Sequence, residues 1–215
     1  LGNNHVLDWG REGLRETLRV VREAGFATPG AGLEAGDAAS PTILETGAGR
    51  LLVFGYAMPN AGVPPAWAAT ADEPGVNLLP SLDVSSSDRV IEEVGEAREA
   101  GDRVVVSIHW GLNWGYDVRR VERDFARRLI DAGAADLIHG HSSHHPKPVE
   151  VYRGRPILHG AGDFLNDYEG IGGNEEYRGE LTLMYLPTLA PSGELTDFRM
   201  TPMRIRRFRL ERASD

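Results

Sequence analysis

Arg103-Val104-Val105-Val106-Ser107-Ile108-His109-Trp110-Gly111 is the stretch that decides how this chain is read. After its first residue, the run 103–108 is β-branched and nearly continuously apolar, as a strand buried on both faces should be. It ends directly on a histidine. A second short run, Asp136-Leu137-Ile138, behaves the same way and stops at His139-Gly140-His141. A histidine placed straight after a buried strand is held by the sheet with its ring at the rim, the rigidity that metal centres and acid–base sites need.

Working outward, residues 11–24 read as an amphipathic helix with Leu14, Leu18 and Val21 on one face and Gly25 as its stop. A Gly/Ala-rich loop (28–37) precedes two strands, 42–45 and 51–57, which flank the turn Thr46-Gly47-Ala48-Gly49. Residues 58–87, rich in Pro, Gly, Ala and Ser, read as a long loop and a candidate substrate lid carrying Trp67. Ser86 or Ser87 is expected to cap a helix over 88–100 that turns Val90, Ile91, Val94 and Ala97 inward. A further helix over 118–132 aligns Val121, Phe125, Leu129 and Ala132, and Gly133 stops it. Beyond residue 148 the chain is β-rich, with strands expected at 149–153, 156–159, 180–186 and 195–208. This alternation followed by strands predicts an α/β sandwich with a mixed sheet, in which ligands collect at the C-terminal strand ends.

The chain has 215 residues, enough for one sizeable domain over 1–215, with 41% hydrophobic and 26% charged residues. Its net charge of −9, from 32 acidic and 23 basic residues, disfavours nucleic acid or an anionic membrane as partner. A local exception is Arg204-Ile205-Arg206-Arg207-Phe208-Arg209, read as a strand with a solvated basic face in preference to a phosphate site. With no cysteine there is no disulfide, thiol nucleophile or cysteine-type zinc site. No apolar run approaches the roughly 20 residues that span a bilayer. No signal peptide is visible, and the chain opens at Leu1-Gly2-Asn3-Asn4-His5 without an initiator Met. An internal piece of a longer protein is therefore expected. A soluble domain follows, with its compartment open between the cytoplasm and an extracytoplasmic surface.

Four of the seven histidines lie between positions 139 and 145; the others are His5, His109 and His159. Taken alone, His109 reads more readily as a strand-end histidine bonded to a backbone carbonyl. The loop Gly140-His141-Ser142-Ser143-His144-His145-Pro146 favours metal binding over a solvated loop: Gly140 frees the turn, and His141 and His144 can converge on a cation pair. In Asn3-Asn4-His5-Val6-Leu7-Asp8-Trp9-Gly10, Asn4 offers a carboxamide oxygen to a hard divalent ion, His5 a proton, and Asp8 a carboxylate to orient His5. The simpler alternative is that Asn4 or Asp8 caps the following helix. Placing this segment at a strand end requires a strand ahead of residue 1.

These motifs, followed by Gly160-Ala161-Gly162-Asp163-Phe164, come in an order that resembles the capsule-synthesis (CapA-type, poly-γ-glutamate) proteins, which have a calcineurin-like metallophosphoesterase fold. The similarity runs from Leu1 to about Arg209. It implies an αββα sandwich of two mixed sheets, N-terminally incomplete here, with a site for two divalent metal ions (Mn, Fe or Zn). Asn4 would be a metal ligand, His109 a ligand of the second metal, and His141 and His144 would close the site. His5 would be the general acid, oriented by Asp8, while a metal-activated hydroxide attacks a phosphoester or related bond. The family's acidic motifs, which supply bridging carboxylates ahead of Asn4, are absent, so residues 1–215 alone are expected to bind metal poorly or singly. Where the family spaces two histidines around a proline, this chain has Ser142-Ser143 between His141 and His144. Its Leu-Gly-Asn-Phe stretch appears as Ala161-Gly162-Asp163-Phe164, and Asp163 is expected to brace a histidine from behind. Asp167 and Glu169 complete an acidic cluster, His139 is expected to point into the sheet layer, and His145 and His159 to sit at the rim. Two functions follow: a hydrolase of a small-molecule or polymer substrate, or an accessory protein that binds a γ-glutamyl polymer or a partner without turnover.

Overall fold

The computed structural model describes residues 1–164, 166 and 171–213. In chain order its elements are α1 (Gly10–Glu23), β1 (Ala31–Gly32), α2 (Ala35–Ala39), β2 (Thr42–Thr46), β3 (Gly49–Ala57), β4 (Gly75–Val76), α3 (Val84–Ala97), β5 (Arg103–His109) and α4 (Arg120–Asp131). They continue with β6 (Leu137–His141), β7 (Val149–Tyr152), β8 (Arg155–Leu158), β9 (Leu181–Leu189), β10 (Leu195–Arg206) and β11 (Arg209–Arg212).

Six strands form one mixed sheet in the order β2-β3-β5-β6-β8-β7. The inner neighbours β3, β5, β6 and β8 run parallel, while β2 and β7 pair antiparallel at the two edges. Parallel neighbours need crossovers, and α3 and α4 supply those into β5 and β6. Alternate residues of the strands point to one face, where Phe54, Val106, Ile108 and Ile138 pack with Val90 and Val94 of α3 and with Phe125 and Leu129 of α4. Fully burying each such side chain is worth about 1.5–3 kcal/mol, so this layer fixes where the strand ends fall. On the opposite face an apolar groove of about 660 Å³ separates Val105, Leu137 and Leu158 from Leu183, Tyr185 and Pro187 of β9. β9 belongs to a second sheet, β11-β10-β9.

The α/β class stands, and several particulars differ from expectation. The second sheet is antiparallel throughout instead of mixed. β5 alternates between buried and half-buried residues, because the Val105 face lines the groove. The helix expected over 88–100 begins four residues earlier: the Asp83 carboxylate accepts from Ser86 N–H (2.8 Å) and caps it, while Ser86 and Ser87 are buried within its first turn. The carboxylate outcompetes the hydroxyls for the free N–H groups. In α4 the buried face is Glu122, Phe125, Ala126, Leu129 and Ile130; Val121 is 51% exposed and Ala132 is exposed, so the stripe is turned about one residue from the expected one. Residues 58–87 are not structureless: they hold 3-10 turns at Pro59–Ala61 and Pro65–Trp67, and β4. Trp67 packs on the small cluster of Leu7, Leu14 and Val76, which ties the segment down and removes the case for a lid. The Gly/Ala-rich loop carries β1 and α2, and the C-terminal hairpin has a further strand, β11. Asp167 and Glu169 lie outside the described residues.

Candidate histidine cleft

The strand register builds the site. β5 pairs with β6 so that His109 lies directly opposite His141, and β3 pairs with β5 so that Ala57 lies opposite His109. β6 extends through His139-Gly140-His141 rather than stopping before them, so His141 is as firmly held as His109. Their Nδ1 atoms are 3.1 Å apart, close enough that the two rings share a single hydrogen between them. Burial pushes the His109 imidazole down to about 4. Burial, reinforced by the neighbouring His139 and His109, holds His141 well below the ordinary histidine range. Both rings are therefore neutral at physiological pH, the state in which imidazole donates a lone pair to a metal. His109 Nε2 is buried with no hydrogen-bond partner.

A cleft of about 830 Å³ opens over this pair, lined also by Asn4, His5, Asp8, Ser142, His144 and Asp163. Asn4 lies against Gly62, where an added Cβ would come within 3.3 Å of its Nδ2. His5 Nδ1 meets Asp8 Oδ2 at 2.7 Å, and the two side chains are 74% and 49% exposed. α1 is preceded by Trp9 without a side-chain cap, so Asp8 serves His5 and not the helix. His144 Nδ1 lies 3.0 Å from Asp163 Oδ2, its Nε2 lies 3.3 Å from Asn113 Nδ2, and its backbone N–H reaches Asn113 O. Ser142, between the two histidines, has φ 132°, a strained geometry for a residue with a side chain. Such strain collects at binding sites.

The remaining histidines fall elsewhere. His139 stacks on His141 and bonds Ser107 Oγ at 2.9 Å, inside the layer between the sheets as expected. His145 and His159 are not rim residues: both are buried. His145 is enclosed by Trp114, Tyr116 and Tyr177, and His159 stacks on Trp110 and meets Glu150 Oε2 at 3.3 Å. Sequence reading missed Asn113 and Trp114, which clasp His144 from the loop after β5. The Leu112-Asn113-Trp114 stretch that follows His109-Trp110-Gly111 was the available signal.

The donor set fits a cation only in part. Among the described residues no three His, Asp or Glu side chains are grouped to hold a metal ion. His109 and His141 supply two nitrogens and Asn4 a carboxamide, but both nearby carboxylates, Asp8 and Asp163, are engaged by histidines. Two metals need bridging carboxylates that these residues do not provide.

An α/β sheet with neutral histidines at the ends of two neighbouring parallel strands, facing a His–Asp pair across one cleft, is the arrangement that fold and site define together. The chain belongs to the bacterial capsule synthesis protein family PGA_cap, which it matches over residues 1–168. It is 47% identical over 219 residues to a Mycobacterium tuberculosis protein named "Probable polyglutamine synthesis accessory protein", with 100% of this chain and 57% of the relative covered. It is 32% identical over 166 residues to the PGA biosynthesis protein CapA of Bacillus subtilis, covering 77% of this chain and 41% of that one. Against the capsule biosynthesis protein CapA of Bacillus anthracis the figures are 29% over 171 residues, 78% and 39%. The chain thus spans little more than half the length of these curated relatives, or less. Among the described residues no helix is long and apolar enough to cross a membrane.

Proposed function

We propose that this chain carries the histidine side of a metal-dependent hydrolytic cleft in a capsule or poly-γ-glutamate synthesis protein, acting on a phosphoester or related bond of a small molecule or polymer. The observation that carries the reading is the pair of buried, neutral imidazoles, His109 and His141, 3.1 Å apart beneath the exposed His5–Asp8 pair. His109, His141 and Asn4 would hold a divalent ion, with carboxylate donors required from beyond the described residues. A divalent metal there supplies activated water at neutral pH.

The chain's own residues do the rest. The Asp8 carboxylate accepts from His5 Nδ1–H, which fixes the ring and leaves Nε2 to hand a proton to a leaving oxygen. Asp163 accepts from His144 Nδ1–H, so that His144 presents Nε2 toward the Asn113 amide. In the intact protein, His5→Ala is expected to lower turnover about 100-fold or more while metal content stays unchanged. Full activity in that variant would remove His5 from the acid role.

The second reading is an accessory protein that binds polymer without turnover. It is favoured by the M. tuberculosis relative's printed name and by the lack of a three-ligand group among the described residues. Saturable polymer binding with no metal-dependent cleavage of any ester would establish it over the first.

A further inference from the structure

The net charge is −9, yet the β10–β11 hairpin gathers Arg204, Arg206, Arg207, Arg209 and Arg212. Arg206 stands directly opposite Arg209, and Arg204 opposite Glu211. Alternate residues of a strand share a face, so Arg204, Arg206 and Arg209 lie together, while Ile205 is buried on the other side. Arg207 and Phe208 close the hairpin at φ 51° and 57°, conformations usually left to Gly or Asn. Neighbouring arginines have acidic partners: Arg178 meets Glu180 at 2.5 Å and Arg199 meets Asp197 at 3.1 Å. Among the described residues Arg206, Arg207 and Arg209 form no salt bridge; Arg204 faces Glu211 and helps hold the Glu180 carboxyl below its usual range, and its Nε is buried without a hydrogen-bond partner. Like charges directly opposite one another weaken a hairpin. An anion lying across Arg206 and Arg209 removes that repulsion.

The strip also has a direction. Arg204 pairs with Leu181, and Ile205 N–H bonds Glu180 O. Just before them, a Cβ at Gly179 would touch Trp114 (3.4 Å) and approach His144 O (3.9 Å). The basic face therefore begins where the chain leaves the rim of the histidine cleft. Alternate strand positions repeat about every 7 Å. A γ-linked glutamyl chain leaves one free carboxylate on every unit, a regular series of anions that complements a row of guanidinium groups. Single-stranded nucleic acid is bound on rows of aromatic side chains, and residues 204–212 contain a single aromatic residue, Phe208.

We propose that the β10–β11 hairpin is a docking strip for an extended polycarboxylate of the γ-glutamyl kind. The inference rests on the second reading, in which the protein binds polymer, and locates the binding surface away from the cleft; it needs neither metal nor turnover. The test is fluorescence anisotropy of labelled poly-γ-glutamate with the intact protein in EDTA, at low and at high salt. Replacing Arg206, Arg207 and Arg209 together by Glu is expected to weaken binding at least about tenfold and to flatten its salt dependence. Arg209→Glu alone places opposite charges across the hairpin, so it should fold at least as well and still bind several-fold more weakly. Unchanged affinity in the single and triple variants would overturn the proposal. So would tighter binding of single-stranded DNA, or of anionic phospholipid vesicles, than of poly-γ-glutamate at the same ionic strength. Cleavage of a small phosphoester, wherever the cleft supports it, should be equal in wild type and both variants, which keeps this test separate from that of the cleft.

Discussion

Acid should destabilise this protein through His109, by an amount its burial sets. The ring is pushed from the ordinary 6.5 to about 4, so below 6.5 the unfolded chain takes up a proton that the folded one refuses. The stabilisation is whole above about pH 6.5 and is lost as pH falls from there toward 4. Each unit is worth 1.36 kcal/mol, so the full effect is about 3 kcal/mol, and about 2 kcal/mol of it is gone by pH 5. His109→Asn keeps a polar side chain without an ionisation in this range. Urea unfolding of the intact protein in EDTA, at pH 7.5 and pH 5, should show the wild type losing about 2 kcal/mol more than the variant across that interval. Equal losses, within about 0.5 kcal/mol, would refute the claim that burial keeps this imidazole neutral.

Gly140→Ala should cost at least about 2 kcal/mol in the same unfolding assay. Its Cβ would stand 2.6 Å from His159 O and 2.7 Å from Leu158 O and would also strike the Trp110 ring, and two of these neighbours are backbone. A change below about 0.5 kcal/mol would mean that β6 and β8 sit further apart than described. Asp163→Asn should lower turnover about 10- to 100-fold by loosening His144 at the cleft. An unaltered rate would show that the 3.0 Å contact does not brace a functional ring.

Much of this was legible in the sequence because strand ends have a simple signature. Apolar β-branched runs halting at His109 and at His139-Gly140-His141 place those residues at one sheet edge, and parallel pairing puts them side by side. The His5–Asp8 contact was legible for a related reason: three residues apart in one turn, their side chains can meet without help from the rest of the fold. What was not legible depended on tertiary context. Ser86 and Ser87 look like caps, but Asp83 three residues upstream offers a charged acceptor and wins the first turn. His145 and His159 are as polar as their neighbours, and only packing against Trp114, Tyr116, Tyr177 and Trp110 buries them. Asn113 reaches His144 across 31 positions, a pairing that no local pattern encodes.

The most direct test of the cleft is metal content, measured by mass spectrometry on the intact protein purified with manganese and without chelator, alongside a variant carrying His109→Ala and His141→Ala. The proposed site predicts at least about one ion per chain in the wild type and a marked loss in the variant. A folded wild-type protein carrying no metal, or a variant that binds as much as the wild type, would contradict it.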